Sequence, residues 1–295
     1  MLKFLIIFLI TINVTFSDNF LFNKERAYKY LVYQCDLGPR TPGSKNIEKL
    51  RQYIKNISDD NGLRYIRQDF VFKDTVRKKN LKLSNLIVSY NVDSQRRIFF
   101  AAHYDTRFWA DLDPEPKNRN KPIDGANDGA SGVAVLLELM NIINEIEPSY
   151  GVDFIFLDGE DYGTDDYPEM FCLGSKYFVQ NYPISDYVFG IVLDMIGDCD
   201  NQYFFEGYSD YYAPELNQII FQIAQNLGIS SFIPEVKHTI LDDHLFFNRA
   251  GIKTIDIIDF DYPYWHTLED TKDKCCANSL NDIGIVLETF LKQFK

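Results

Sequence analysis

Two β-rich runs, RIFFAAHYD at 97–105 and VDFIFLDGED at 152–161, stay apolar until their last residues and then end in clustered polar groups. Between them, GVAVLLELMNIINEI at 132–146 has the apolar spacing of a helix, with 128–131 ahead of it as capping material. Strand, helix, strand in this order predicts a parallel unit buried on both faces. Working outward, further strands are expected at RYIRQDFVF (64–72), NLIVSY (85–90), YVFGIVLDMIGD (187–198) and KTIDIID (253–259). Helices are expected at 20–33, from Ser44 as a cap through 57, at 173–179, at 214–227 and at 279–294. The fold class that follows is α/β: a single domain with a mixed, mostly parallel central sheet and helices on both faces. No internal repeat is visible. The long irregular connection is 106–127, rich in Pro, Asp and Asn, and loops of that length in compact domains are usually functional or mobile.

The chain's 295 residues suffice for one substantial core. Its first residues, MLKFLIIFLITINVTFSDN, have the layout of a secretory signal peptide, assigned to 1–18, with the catalytic domain at 19–295. The apolar run is short for a bilayer span, and no other stretch is long and apolar enough for a stable span after signal removal. A secreted or periplasmic protein is expected. Five cysteines leave at least one thiol unpaired, and the pairing of the adjacent Cys275 and Cys276 is open. The formal charge of −13 is spread along the chain, which argues against nucleic acid as a partner, because phosphate binding needs clustered Lys and Arg.

Ligands in such sheets bind beyond the carboxyl ends of the strands. His103 and Asp105 end one strand, Glu160 and Asp161 a second and Asp194 a third, while His266 follows the last strand by a short aromatic loop. Asp128, in the loop GANDGASG (125–132), falls on the same side. Taken singly, Asp128 reads as a helix cap, Asp194 as a turn residue and His238 as a surface histidine. As a set, converging carboxylates and imidazoles repel or desolvate one another unless a cation neutralises them, and mixed imidazole and carboxylate donors suit catalytic zinc.

The segments AAHYDTR, DGANDGASGVAVLLEL, FLDGEDYG, LDMIGD, DDHLFFNRAGI and YWHTLEDT, in this order, resemble the zinc aminopeptidase-like superfamily, and within it the animal-type (type II) glutaminyl cyclases and their bacterial relatives. The likeness runs from LGPRTPGS (37–44) to the C-terminal helix. GANDGASG and the acidic pair belong to the whole superfamily, whereas DDH and a Trp directly before the last His are more particular to the cyclases. The resemblance implies one zinc per chain on Asp128, Asp161 and His266, and Glu160 as general acid and base. It implies Asp194 and Asp242 as carboxylates that hold the proton and the intermediate, and Trp265 as a wall of the substrate pocket. The implied reaction closes N-terminal glutamine of peptides into pyroglutamate with loss of ammonia.

Asp161 departs from the animal cyclases, which have Glu at this position. The second Trp they place after the acidic pair is missing from TDDYPEMF (164–171), so the other pocket wall must be built differently. Cysteines for the disulfide of the animal enzymes are absent near HYD and GANDGASG, and both features point to a bacterial-type member. Two rival readings remain at this level: a two-zinc aminopeptidase of the same fold, with His103, Asp128 and Asp194 completing a second metal site, and a non-catalytic binding module.

Overall fold

The structure is a computed structural model that describes residues 20–294; the expected signal segment at 1–18 lies outside them. In chain order the elements are α1 (Lys24–Asp36), α2 (Lys45–Asp60), β1 (Arg64–Asp74), β2 (Lys79–Tyr90), β3 (Arg97–His103), α3 (Ala130–Ile146), β4 (Gly151–Leu157) and α4 (Leu173–Asn181). There follow β5 (Tyr187–Asp194), β6 (Tyr203–Phe205), α5 (Gly207–Tyr212), α6 (Pro214–Asn226), β7 (Phe232–Val236), α7 (Asp243–Arg249), β8 (Lys253–Ile258) and α8 (Ala277–Gln293).

Local chemistry sets the helix starts. Asn23 accepts from the Arg26 N–H, so α1 begins later than its apolar spacing suggests, and Ser44 caps α2 through the Ile47 N–H as expected. The capping expected of 128–131 is not observed. Gly129 occupies the N-cap of α3 and provides no side-chain bond, the Ser131 hydroxyl turns back to the Asn127 carbonyl, and the Asp128 carboxylate faces His103 instead.

The main sheet runs β1-β2-β4-β3-β5-β8. β3 pairs in parallel with β4 and β5, and β5 with β8, whereas β1 with β2 and β2 with β4 are antiparallel. The mixed, mostly parallel sheet is therefore as expected, with a hairpin at one edge. Alternation along the strands divides the core in two. Ile98, Phe100 and Ala102 of β3, with Val152, Phe154 and Phe156 of β4, pack beneath α3, which is buried nearly all round, and its neighbours α1 and α8. Phe99 and Ala101 face the other way, into a cluster with Ile155, Leu157, Phe178 of α4 and Phe247 of α7. β6 and β7 form a separate two-stranded ribbon.

Cys199 and Cys276 form a disulfide, and Cys35, Cys172 and Cys275 are free. Among the described residues no helix is long and apolar enough to cross a membrane.

The strand ends remote from the polar cluster are tied by one buried ion pair. Arg97 donates from Nε and Nη2 to both oxygens of Asp153 at 2.9 and 2.6 Å, the Tyr187 hydroxyl donates to Asp153 at 2.6 Å, and Arg97 also reaches the Asn91 carbonyl at 2.8 Å. Removing one partner of such a pair leaves a dry, uncompensated charge. Asp153→Ala is therefore expected to cost roughly 3–5 kcal/mol of unfolding free energy, read by denaturant titration. A loss below about 1 kcal/mol, the scale of an exposed pair, would show that water reaches Arg97.

Candidate active site

β3, β4, β5 and β8 all run the same way, so their carboxyl ends open on one side of the sheet. A cavity of about 320 Å³ lies there, lined by Asp128, Glu160, Asp161, Asp194, Asp242, Trp265 and His266 among others. Every residue that the sequence put forward for the site thus meets at one place. The exceptions among the histidines are His244, buried against Glu206 and Asp256, and His238, which pairs with Asp261 at the surface.

The GANDGASG loop delivers Asp128. Asp270 accepts from the Asn127 and Asp128 N–H groups at 2.8 and 3.2 Å and from the Tyr262 hydroxyl at 2.9 Å, so the loop is pinned from the far end of the chain. Arg40, fully buried, donates to the carbonyls of Asp124 and Gly125 at 2.8 Å each. Gly129 is required by contact: a Cβ there would lie 2.4 Å from the His103 carbonyl oxygen and 2.6 Å from its ring. The turn after β4 delivers Glu160 and Asp161 through Gly159 at φ +74°, and Asp105 accepts from the Glu160 N–H at 3.2 Å. His266 itself has φ +56°, and Cys172 and Met195 beside the pocket also have positive φ. Left-handed backbone at non-glycine residues costs about 1–3 kcal/mol each and gathers at functional sites.

Asp128, Asp161 and His266 each bring a donor atom within 4.8 Å of the others. His266 Nε2 stands 3.3 Å from Asp161 Oδ1 and 3.6 Å from Asp128 Oδ2. Asp128 Oδ2 and Asp161 Oδ2 are buried and lack a hydrogen-bond partner. Two such oxygens beside an imidazole are costly unless a cation takes them, and this donor set fits zinc. Arg107 Nη1 donates to Asp161 Oδ1 at 2.8 Å while its Nε donates to Asp111 Oδ1 at 2.8 Å. Asp111 Oδ1 in turn lies 3.6 Å from His266 Nδ1, and the Leu112 N–H donates to the His266 carbonyl at 3.2 Å. The long connection at 106–127 is thus a brace for two of the three donors. Burial would raise the Asp161 carboxyl, but the charges of His266 and Arg107 hold it down at about 2.

Glu160 behaves oppositely. Burial, with the charges of Asp161, Asp242 and Asp243, holds its carboxyl well above the usual range against the pull of His103. Burial likewise pushes Asp194 up to about 7, although His103 Nε2 hydrogen-bonds it at 3.2 Å. His103 lies beneath the site with Nε2 also 3.0 Å from Asp128 Oδ1. Burial disfavours its charge, yet Asp105, Asp128 and Asp194 keep it protonated well above its ordinary range.

Phe171, Pro168 and Asp165, from the stretch that lacks the second Trp of the animal enzymes, also line the pocket. Phe260 lines the pocket, whereas Tyr262 is buried packing. Arg107, Asp270 and Phe171 were not singled out from the sequence. They reach the site across 54, 142 and 11 residues respectively, and the only local sign was that each lies in or beside a motif.

A family model described as Peptidase family M28 matches residues 85–291. Among curated relatives, a glutaminyl-peptide cyclotransferase of Gloydius blomhoffii is 23% identical over 89% of this chain and 80% of its own length. Among solved structures, a Bacteroides thetaiotaomicron glutaminyl cyclase bound to N-acetylhistamine aligns with a TM-score of 0.89 and 40% identity, over 93% of this chain and 99% of that one. A chain described as a leucine aminopeptidase precursor from Bacteroides thetaiotaomicron aligns with the same TM-score and identity, over 93% of this chain and 98% of that one.

The brace yields an expected outcome. Arg107→Ala should weaken zinc binding by roughly 10–100-fold, measured by competition with a chromogenic chelator; unchanged affinity would remove Arg107 from the support of the site.

Proposed function

We propose that this chain, which belongs to peptidase family M28, works there as a zinc-dependent glutaminyl-peptide cyclotransferase, converting N-terminal glutamine of peptides or proteins to pyroglutamate and ammonia. The observation that carries the reading is the pairing of a three-donor site with a buried Glu160 beside it, in a pocket walled by Trp265 and Phe171.

Asp128, Asp161 and His266 would hold one zinc ion, which when bound supplies Lewis-acid polarisation of the side-chain amide carbonyl. Glu160 takes a proton from the α-amine as that nitrogen attacks the side-chain amide carbonyl carbon (Cδ), and returns it to the departing ammonia. A new C–N bond closes the five-membered ring as the old one breaks, and no water is consumed. Asp194 and Asp242, both lining the pocket, hold the migrating proton close to Glu160. Trp265, its ring 4.0 Å from that of His266 and tilted by 33°, holds the glutamine side chain and keeps water out. The acidic lining suits a substrate that arrives as a cationic amine.

One zinc per chain is supported by His103, whose proton already supplies positive charge between Asp128 and Asp194. That cluster is also the observation behind the second reading, a two-zinc aminopeptidase, because its three donors are close enough for an ion. A secreted or periplasmic location, with 19–295 as the catalytic domain, is supported by the apolar N-terminal run and the Cys199–Cys276 disulfide.

The test is direct. Purified protein should release ammonia from a Gln-initiated peptide, lose this with a chelator and regain it with about one equivalent of zinc. Hydrolysis of leucyl substrates at two equivalents would favour the peptidase. Glu160→Gln should keep zinc yet lose about 10²–10⁴-fold in kcat, whereas Asp128→Ala and His266→Ala should lose zinc and activity together. Loss of metal in Glu160→Gln would mean that Glu160 and Asp161 have exchanged roles.

A further inference from the structure

Behind the pocket floor a second group of donors meets, and it contains the sulfur of Cys172. Cys172 is fully buried at the start of α4, held with φ +55°, and its N–H donates to the Glu160 carbonyl at 2.8 Å. Its thiol donates to Glu160 Oε1 at 3.3 Å. Cys172, Glu160 and Asp242 each offer one donor atom, and the three lie within 4.8 Å of one another. Asp242 also has a buried oxygen, Oδ2, without a hydrogen-bond partner. Two ligands on a tetrahedral zinc, with Zn–S near 2.3 Å and Zn–O near 2.1 Å, stand about 3.5 Å apart. The Sγ···Oε1 separation already has this scale.

We propose that Cys172, Glu160 and Asp242 form a second, inhibitory site for a thiophilic divalent cation such as zinc or cadmium, reached through the substrate pocket. One soft sulfur with two carboxylates distinguishes it from the Asp128, Asp161, His266 set, which has no sulfur, and selects cadmium or zinc over magnesium or calcium. Binding displaces the thiol proton and any proton on the Glu160 carboxyl to solvent through the pocket and forms metal–sulfur and metal–oxygen bonds, with no change of oxidation state. Asp243, beside Asp242, accepts from the Ser175 hydroxyl. An ion held there occupies the carboxylate of Glu160, so that carboxylate can no longer accept a proton. The inhibition rests on the role proposed above for Glu160; the binding does not.

The two parts are therefore read separately. Protein carrying one equivalent of zinc is titrated with cadmium, following thiolate-to-cadmium ultraviolet absorption, bound zinc and ammonia release from a Gln-initiated peptide. The expected result is a second equivalent bound, with sulfur absorption, retention of the first zinc and loss of turnover in step. In Cys172→Ser the absorption should vanish, and the cadmium concentration for half-inhibition, relative to that variant's own activity, should rise by at least about tenfold, the lesser effect of losing even an outer partner of a metal ligand. A second equivalent that binds without sulfur absorption, or inhibition unchanged in Cys172→Ser, overturns the proposal and points to His103, Asp128 and Asp194. If the variant does not fold, cadmium-113 resonance of the wild-type protein decides: a shift of sulfur-ligated cadmium for the second equivalent supports the site, and an oxygen and nitrogen shift refutes it. Binding with sulfur absorption but without inhibition leaves the site standing and removes Glu160 from proton transfer.

Discussion

Keeping several acids dry in one place is the constraint around which the rest of this molecule is arranged. A buried carboxylate loses several kcal/mol of hydration even after the protein relaxes, and Asp105, Asp128, Glu160, Asp161, Asp194 and Asp242 are all buried at the ends of the parallel strands. The positive charge available to them is fixed in position: His103 beneath and Arg107 at the side. Asp161, beside Arg107, ionises readily. At Glu160, burial and the neighbouring acids outweigh the pull of His103 and hold the carboxyl well above the usual range. A single cluster of like residues is thereby differentiated by what lies beside each carboxylate, and the peptide backbone decides which residue falls in which surroundings.

The supporting structure follows from the same demand. Oxygens that must grip an ion cannot be left on free side chains, so the loops carrying them are tied through the backbone. Asp270 fixes 127–128, Asp105 fixes Glu160, Arg40 fixes 124–125 and Gly129 lets His103 approach. The large, nearly featureless helix α3 and the two apolar layers act as the foundation against which these ties are set.

Legibility of the sequence tracked the range of the interactions. β3, β4, β5 and β8 announced themselves as continuous apolar runs, and the residues at their ends could be placed on one rim because parallel topology admits no other arrangement. The short helices α5 and α7 and the ribbon of β6 and β7 carry too few residues for a periodic signal and were not read. Asp128 taken alone reads as capping material for α3 and only within the set as a donor; its carboxylate lies against His103 instead of capping. Arg107 was hidden in a connection whose composition suggests only a loop, and Phe171 stood where another aromatic residue was sought. Each depends on a partner that is distant along the chain or on the course of a turn, and neither is encoded in spacing.

The Cys199–Cys276 bond closes a ring of chain that contains Asp242, Trp265 and His266, while Asp128, Glu160, Asp161 and Asp194 stay outside it. The catalytic hollow is thus the seam between a looped segment and an open one. Cross-linking over 77 residues strips roughly 4 kcal/mol of freedom from the denatured chain, a sizeable share of the 5–15 kcal/mol, as an order of magnitude, that holds an ordinary domain together. Reducing the bond returns that freedom to the denatured chain and lowers the stability of the whole fold, with both banks of the seam drawing on one shared reserve.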